Sequence, residues 1–262
     1  MLANVWPMLK HMLTRGLPIA ITSNFLLYLT FLKTNTNTWI DFGWSFNQFL
    51  IAASFCAANP SLRSFLSLGL VGLWAGRLCS HLYLNRVAKH ENDPRYERMA
   101  EKALPGYRKT YFFFQFMLQA ALVVFPAIPL YYIFNGPKNF TWNFWAGAGL
   151  ALVSLALEAT ADRQLEQFKA LKQNDPSLKG KIYRDGLWTK SRHPNLFWDF
   201  MTWNGISLMG FSSLANWPII IGPLSLYYIM AHLTIPITEG VMKKSRPNWD
   251  EQIKGTNQFF PF

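Results

Sequence analysis

The chain has 262 residues, of which 51% are hydrophobic, 16% aromatic and 15% charged, and its formal net charge is +11. This composition is typical of an integral membrane protein whose apolar segments alternate with basic connectors. Five His and two Cys show no zinc-ligand spacing, and no basic segment carries the interleaved stacking aromatics of a nucleic-acid-binding surface. We therefore expect no metal site and no nucleic-acid partner.

Apolar segments of roughly 20 residues are long enough to cross a bilayer as helices. Seven segments meet this expectation, in one membrane domain over residues 1–262. They are Leu17–Leu32, Trp39–Ala58, Ser64–Leu84, Tyr111–Phe134, Phe140–Leu157, Leu196–Phe211 and Trp217–Ile237. The predicted fold class is an all-α, multi-pass integral membrane protein.

Positive charge is concentrated in the connectors after the odd-numbered segments. The loop after the third segment, the loop after the fifth and the C-terminal tail are rich in Lys and Arg, whereas the opposite connectors hold few. Since Lys and Arg accumulate on the cytoplasmic side, the C-terminus is predicted to be cytosolic and the N-terminus exofacial or lumenal. The membrane is expected to be a bacterial inner membrane or the endoplasmic reticulum.

Arg192-His193-Pro194-Asn195 precedes the sixth apolar segment directly. Pro194 disfavours helix at His193, and Asn195 is a good N-cap for a helix that would begin at Leu196. A helix N-terminus fronted by Arg and His suits a phosphate or another anion. The alternative is a loop whose Arg only anchors the membrane interface.

Further polar residues lie within or just outside the predicted spans. Glu158, Asp162, Glu166 and Lys169 share one helix face, which could also be an ordinary solvated face. His81 and Tyr83 lie near the end of the third span. Gly69, Gly72 and Gly76 lie within a span and form no dinucleotide-binding fingerprint, so any bound nucleotide is not held by a Rossmann domain.

Several motifs resemble the C-terminal domain of the steroid 5-alpha-reductase family, most closely its bacterial and protist members of unassigned substrate. The matching segments are Asp41-Phe42-Gly43-Trp44, Trp74-x-x-Arg77-Leu78, Asp93-Pro94-Arg95-Tyr96, Asp162-x-Gln164-Leu165-x-x-Phe168-Lys169, Asp185–Phe197, Glu239 and the ending Phe259-Phe260-Pro261-Phe262. Their order agrees with the family, whose fold is a bundle of seven transmembrane helices. The resemblance therefore implies a seven-transmembrane-helix bundle of this type.

The resemblance also implies NADPH as the cofactor, bound in the half of the chain over residues 140–262. The implied cofactor-binding residues are Asp162, Lys169, Arg192, His193, Asn195, Asp199, Arg95, Tyr96 and Glu239. Tyr83 or His81 falls near the family tyrosine that donates to the substrate carbonyl, and Gln48, beside Asn47, is a second candidate for polarising it.

The activity implied is reduction of a C=C bond conjugated to a ketone in a lipophilic, steroid- or isoprenoid-like substrate taken from the membrane lipids. Two alternatives remain. Membrane methyltransferases of the isoprenylcysteine carboxyl or phospholipid type, which use S-adenosylmethionine, share an Arg-His-Pro motif and a downstream Glu. The second alternative is a non-catalytic protein of the same fold. It is suggested by Trp198 and Asp199, which stand where the family usually has Gly and Glu.

Overall fold

The structure is a computed structural model that describes residues 5–262, and it is helical apart from loops and one isolated β-bridge between Ser191 and Asn257. The α-helices of these residues are α1 Val5–His11, α2 Leu17–Thr34, α3 Trp39–Ala58, α4 Leu62–Leu82, α5 Pro94–Ala103, α6 Arg108–Leu122, α7 Ile128–Asn135, α8 Trp142–Asn174, α9 Pro194–Gly210, α10 Ile221–Tyr228, α11 Ile235–Ser245 and α12 Trp249–Gln252. Single π-helical turns join α1 to α2 and α10 to α11, and a third extends α4 to Val87.

Within the described residues, four continuous helical runs are long and apolar enough to cross a membrane. These runs are Val5–Thr34, Leu62–Val87, Trp142–Asn174 and Leu214–Ser245. They have 26 to 33 residues, more than the roughly 20 that a bilayer requires. The chain therefore has the helices of a membrane protein.

The chain divides into two compact units, and the first comprises residues 1–148 and 206–225. Its core is aromatic: Phe31 of α2 packs on Phe112 of α6 with ring centroids 4.7 Å apart, and Phe116 joins the same cluster. Close packing of α2 on α3 depends on Gly43, because a Cβ there would lie 2.7 Å from the side-chain oxygen of Asn24. The second unit comprises residues 149–205 and 226–262.

Two segments differ from the helices expected from the sequence. The segment 111–134 is divided into α6 and α7 by a turn at residues 123–127, because Pro126 and Pro129 lack the N–H groups that a continuous helix would use. The segment expected to end at Leu157 continues as α8 to Asn174. The extension is rich in Ala, Leu, Glu, Gln and Lys, which favour helix, although their polarity indicates an end to the apolar span.

Candidate functional site

The loop before α9 is fixed to α8 by hydrogen bonds within the second unit. The indole Nε1 of Trp188 donates to the carbonyl of Ala161 at 3.0 Å, and the backbone N–H of Leu187 donates to Oε1 of Gln164 at 3.1 Å. Gly186 has a φ of +59°, and a Cβ there would overlap the Gln164 amide. Glycine is therefore required where the loop approaches α8.

Arg192, His193 and Glu239 form a compact polar cluster in this unit. Nε and Nη2 of Arg192 donate to the two carboxylate oxygens of Glu239 at 2.6 and 3.1 Å, and Nε2 of His193 lies 3.1 Å from Oε1. The side chains of Arg192, Glu239 and His193 are 15%, 14% and 7% exposed. The structure thus brings together three residues that the resemblance assigned to one site.

The C-terminal tail completes the surroundings of Arg192. The backbone N–H of Arg192 donates to the carbonyl of Asn257 at 2.9 Å, and Nη1 of Arg192 donates to the carbonyl of Thr256 at 2.7 Å. The hydroxyl of Ser191 donates to the carbonyl of Phe259 at 2.8 Å. The Arg-His-Pro motif is therefore held between α11 and the last residues of the chain.

Asn195 is not the N-cap that the sequence suggested, because α9 begins at Pro194, two residues before the expected start at Leu196, and Asn195 is already inside the helix. Proline is favoured at the first helical position, where its missing N–H would have no helical partner in any case. The Asn195 amide instead donates to Oδ1 of Asp162 on α8 at 3.0 Å. Two residues that the resemblance assigned separately to the cofactor site are therefore in contact with each other.

A cavity of about 90 Å³ lies next to this cluster within the second unit. Its lining includes Arg192, His193 and Glu239, and aromatic walls are supplied by Phe168, Tyr183, Trp188 and Trp249. The cationic side chains that line it are Lys169, Lys172, Lys181, Arg184, Arg192 and Arg246. Six formal positive charges therefore face one carboxylate, so the cavity attracts an anion.

Some of the cationic side chains of the cavity already form ion pairs or hydrogen bonds within the protein, and others do not. Lys169 pairs with Glu166 at 2.6 Å, and Arg184 donates to the carbonyls of Gln252 and Lys254 and to the hydroxyl of Thr256. Nε of Arg246, in contrast, is buried and has no hydrogen-bond partner among the described residues. Burial lowers the pKa of the Arg246 guanidinium, as expected for a cation without a carboxylate partner.

Arg246, Lys172, Lys181 and Arg184 were not assigned to the site from the sequence. In the sequence alone, their positive charges indicate only the orientation of the membrane spans. No spacing rule connects residue 172 with residue 246, because the cavity is formed by chain segments far apart in sequence. Asp199, which is buried in the first half of α9, does not line the cavity.

Arg95 and Tyr96 lie in the first unit, within an acidic network of their own. Arg95 donates to Asp93 at 2.7 Å and to Asp41 at 3.2 Å, and the hydroxyl of Tyr96 donates to Asp41 at 2.6 Å. Burial opposes the charge of Arg95, but Asp41 and Asp93 more than offset this effect and raise its pKa. The guanidinium of Arg95 is therefore already neutralised by protein carboxylates.

The three candidates for polarising a substrate carbonyl also belong to the first unit. Tyr83 packs against Trp39, with centroids 6.4 Å apart, and Nδ1 of His81 lies 3.2 Å from the amide nitrogen of Asn85. Gln48 is nine residues after Trp39 on α3, about 13 Å along the axis. Its Nε2 donates to the carbonyl of Val123 at 3.2 Å. Tyr83 and Gln48 are thus placed at different levels of the bundle.

The profile of one protein family, described as a protein of unknown function (DUF1295), matches residues 27–254. The match includes the whole loop before α9, Glu239 and all six cations of the cavity. No curated protein and no solved structure matches the chain.

Proposed function

We propose a reductase function for this chain, which belongs to the DUF1295 family, the steroid 5-alpha-reductase-like group. The proposed activity is NADPH-dependent reduction of a C=C bond conjugated to a ketone in a lipophilic, steroid- or isoprenoid-like substrate. The observation that carries the proposal is the cavity with six cationic side chains in the second unit.

The charge of the cavity supports a phosphate-bearing cofactor. NADPH carries a pyrophosphate and a 2′-phosphate, and guanidinium and ammonium groups are the usual partners of phosphates. S-adenosylmethionine carries a sulfonium cation and no phosphate, so six cations against Glu239 disfavour it. On this ground we favour the reductase over a methyltransferase of the isoprenylcysteine carboxyl or phospholipid type.

The side chains present fit a phosphate group. Arg246 offers an unpartnered guanidinium nitrogen, and Lys172 and Lys181 line the same cavity. The cavity volume of about 90 Å³ is well below the roughly 300–1,000 Å³ of small-molecule sites, so we assign to it only a phosphate-bearing part of the dinucleotide. Asp162 of α8 and Asn195 at the start of α9 supply further polar groups outside the lining of this cavity.

When bound, NADPH would supply a hydride to the carbon β to the ketone, and a proton taken up at the α carbon would complete the reduction. The phenol of Tyr83 is the proposed donor to the carbonyl oxygen, where negative charge develops, and His81, two residues before it, is the alternative donor. We favour Tyr83 over Gln48 for this role, because Gln48 is fully buried and one N–H of its amide already donates to the carbonyl of Val123. The lipophilic substrate is expected to enter from the surrounding membrane lipids.

The proposed topology has seven spans, formed by the four apolar runs together with α3, α6–α7 and α9. Helices α6 and α9 have 15 and 17 residues, close to the lower limit for a bilayer. This arrangement puts the basic connectors on one side and the C-terminus in the cytosol, in a bacterial inner membrane or the endoplasmic reticulum.

A thermal-shift experiment in detergent tests the cofactor assignment, because a ligand of the native state raises the apparent unfolding temperature. NADPH should stabilise the protein more than NADH, and S-adenosylmethionine should not. Arg246→Gln should reduce the NADPH shift, whereas Lys244→Gln, a nearby exposed cation outside the cavity, should not. A shift with S-adenosylmethionine alone would favour the methyltransferase, and no shift with any of the three would favour a non-catalytic protein.

A further inference from the structure

The turn that joins α5 to α6 in the first unit carries two exposed apolar residues. In Leu104-Pro105-Gly106-Tyr107, the N–H of Tyr107 donates to the carbonyl of Leu104 at 3.0 Å, and Gly106 has a φ of +77°, as a type II β-turn requires. The two ends of such a turn lie within about 7 Å of each other. Leu104 and Tyr107 are 36% and 67% exposed, so an aliphatic and a phenolic residue lie close together at the surface.

Helix α5, which leads into this turn, is amphipathic. Tyr96 and Ala100 are one turn apart and are buried in the aromatic core that includes Phe112 of α6. Arg98 is two residues from each of them, which places it about 200° around the helix, and Lys102 follows Arg98 by one turn. Both cations are exposed. One face of α5 is therefore fixed to the protein, and the opposite face presents two positive charges.

The exposed cations of this region are not neutralised by the protein. Three arginines of the connector between α4 and α6 already pair with protein carboxylates, namely Arg86, Arg95 and Arg108. Arg98, Lys102 and Lys109 are exposed, and none of them forms an ion pair with another residue of the described chain. Glu101 is the one exposed carboxylate of α5. The exposed surface of residues 98–110 therefore has an excess of positive charge next to two apolar residues.

The neighbouring helices keep α5 close to the surface of the membrane. The apolar run Leu62–Val87 has 26 residues and is about 39 Å long, which exceeds the roughly 30 Å of the hydrocarbon core and reaches the headgroups. Helix α5 begins seven residues after Val87, at Pro94, and α6 begins at Arg108, directly after the turn. Because the proposed topology returns the chain to the bilayer through α6, both ends of α5 are held at the level of the headgroups.

We propose that Arg98, Lys102 and Lys109, together with Leu104 and Tyr107, form a binding surface for anionic phospholipids. The cations attract the charged headgroups, and the aliphatic and phenolic side chains enter the interface, where aromatic residues are favoured. Each Lys or Arg near an anionic leaflet contributes about fivefold in affinity. The proposal uses the seven-span topology to place α6 in the bilayer, and it does not depend on the reductase activity.

Native mass spectrometry of the protein in a neutral detergent tests the role of the charges. Wild type should bind phosphatidylglycerol more tightly than phosphatidylcholine, and Arg98→Gln with Lys102→Gln should weaken phosphatidylglycerol binding about 10- to 30-fold without changing phosphatidylcholine binding. The matched control is Lys179→Gln with Lys254→Gln, which removes two exposed cations of the second unit and should have little effect. No preference for phosphatidylglycerol in wild type, or an equal loss in the two double variants, would overturn the proposal.

A fluorescent label tests the location of the binding surface. With both native cysteines replaced by alanine, an environment-sensitive dye on Ala103→Cys, an exposed position next to the turn, should emit at shorter wavelength in nanodiscs of phosphatidylglycerol than of phosphatidylcholine. Arg98→Gln with Lys102→Gln should remove this difference, whereas Tyr107→Ala should reduce the shift in both lipids. The same dye on Gln173→Cys, exposed near the polar end of α8, is the control and should not distinguish the lipids.

The unfolding temperatures of these variants check that they fold, and the exposed positions of the changes favour this outcome. Emission from Ala103→Cys that is the same in the two lipids, or a difference that persists after the loss of Arg98 and Lys102, would overturn the proposal. Reporter fusions at the two termini test the topology separately, so a failure of the topology and a failure of the lipid surface can be distinguished.

Discussion

Glu239 accepts both hydrogen bonds of one Arg192 guanidinium edge, at 2.6 and 3.1 Å, although the two residues are 47 positions apart. This bidentate pair joins the loop before α9 to α11, and Arg192 extends the connection to Thr256 in the tail. Arg192 therefore links three segments of the second unit beside the cationic cavity, and the bidentate geometry of an Arg–carboxylate pair fixes their relative positions.

Replacing Glu239 should destabilise this arrangement. Glu239→Gln would leave the largely buried Arg192 without the carboxylate that accepts its two hydrogen bonds, and we expect a loss of about 1–3 kcal/mol in the free energy of unfolding, less than for a fully buried pair. Denaturant titration in detergent measures it. The control is Asp250→Asn, which breaks an exposed pair with Lys243 and should lose less than about 1 kcal/mol. Equal losses for the two variants would contradict a structural role for Glu239.

The two glycines Gly186 and Gly149 should respond to alanine in opposite directions. Gly186→Ala introduces a side chain at positive φ against Gln164 and should destabilise the protein by about 2 kcal/mol or more. Gly149→Ala, inside α8 with open space around the new methyl group, should stabilise it by about 0.5–1 kcal/mol. Thermal unfolding of both variants gives the comparison. A neutral Gly186→Ala would mean that the loop is not fixed to α8 in the way described.

Asp93 should contribute a pH-dependent part of the stability. Burial would raise its pKa, but hydrogen bonds and charge from Arg95, with Arg86, lower it below the usual 3.8. A lowered pKa means that this stabilisation is complete above about pH 4 and is lost as the pH falls through the folded-state value. The difference in unfolding temperature between wild type and Asp93→Asn should therefore be largest near pH 6 and shrink below about pH 4. Glu101→Gln, an exposed change of equal charge, should show no such trend, and a difference independent of pH would refute the assignment.

The charge bias predicts opposite locations for the two termini. A reporter fused after Phe262 should be cytosolic, and one fused before Met1 should be exofacial or lumenal, because the basic connectors share one side of a seven-span protein. Paired phosphatase and fluorescent-protein fusions measure both locations. Two termini on the same side would require an even number of spans.

The sequence predicts a helical membrane protein well, because apolar length and charge are local properties. Trp39–Ala58, for example, coincides with α3. The turn that separates α6 from α7 is not predicted, because Pro126 and Pro129 lie within a continuous apolar run. In the site, the sequence predicts that Asn195 caps the helix after the Arg-His-Pro motif. The partner it has, Asp162, is 33 residues away and no capping rule would identify it.

The cationic cavity was not predictable from spacing. Arg246 and Lys172 acquire a common role only when α8, α11 and the tail pack together. The resemblance gave residues near this cavity, since Arg192, His193, Glu239 and Lys169 all line it. It did not give the excess of positive charge, which is the property that distinguishes a phosphate-bearing cofactor from S-adenosylmethionine.

Isothermal titration of NADPH into the protein in nanodiscs tests the central claim most directly, with Asn195→Ala as the decisive variant. Wild type should bind NADPH saturably, and Asn195→Ala should bind at least about tenfold more weakly, since it removes a polar group beside Asp162 at the start of α9. Asn204→Ala, which removes a comparable side-chain hydrogen bond further along the same helix, should bind like wild type. No heat of binding in wild type, or equal affinity for NADPH in wild type and Asn195→Ala, would contradict the assignment of this site to a nicotinamide cofactor.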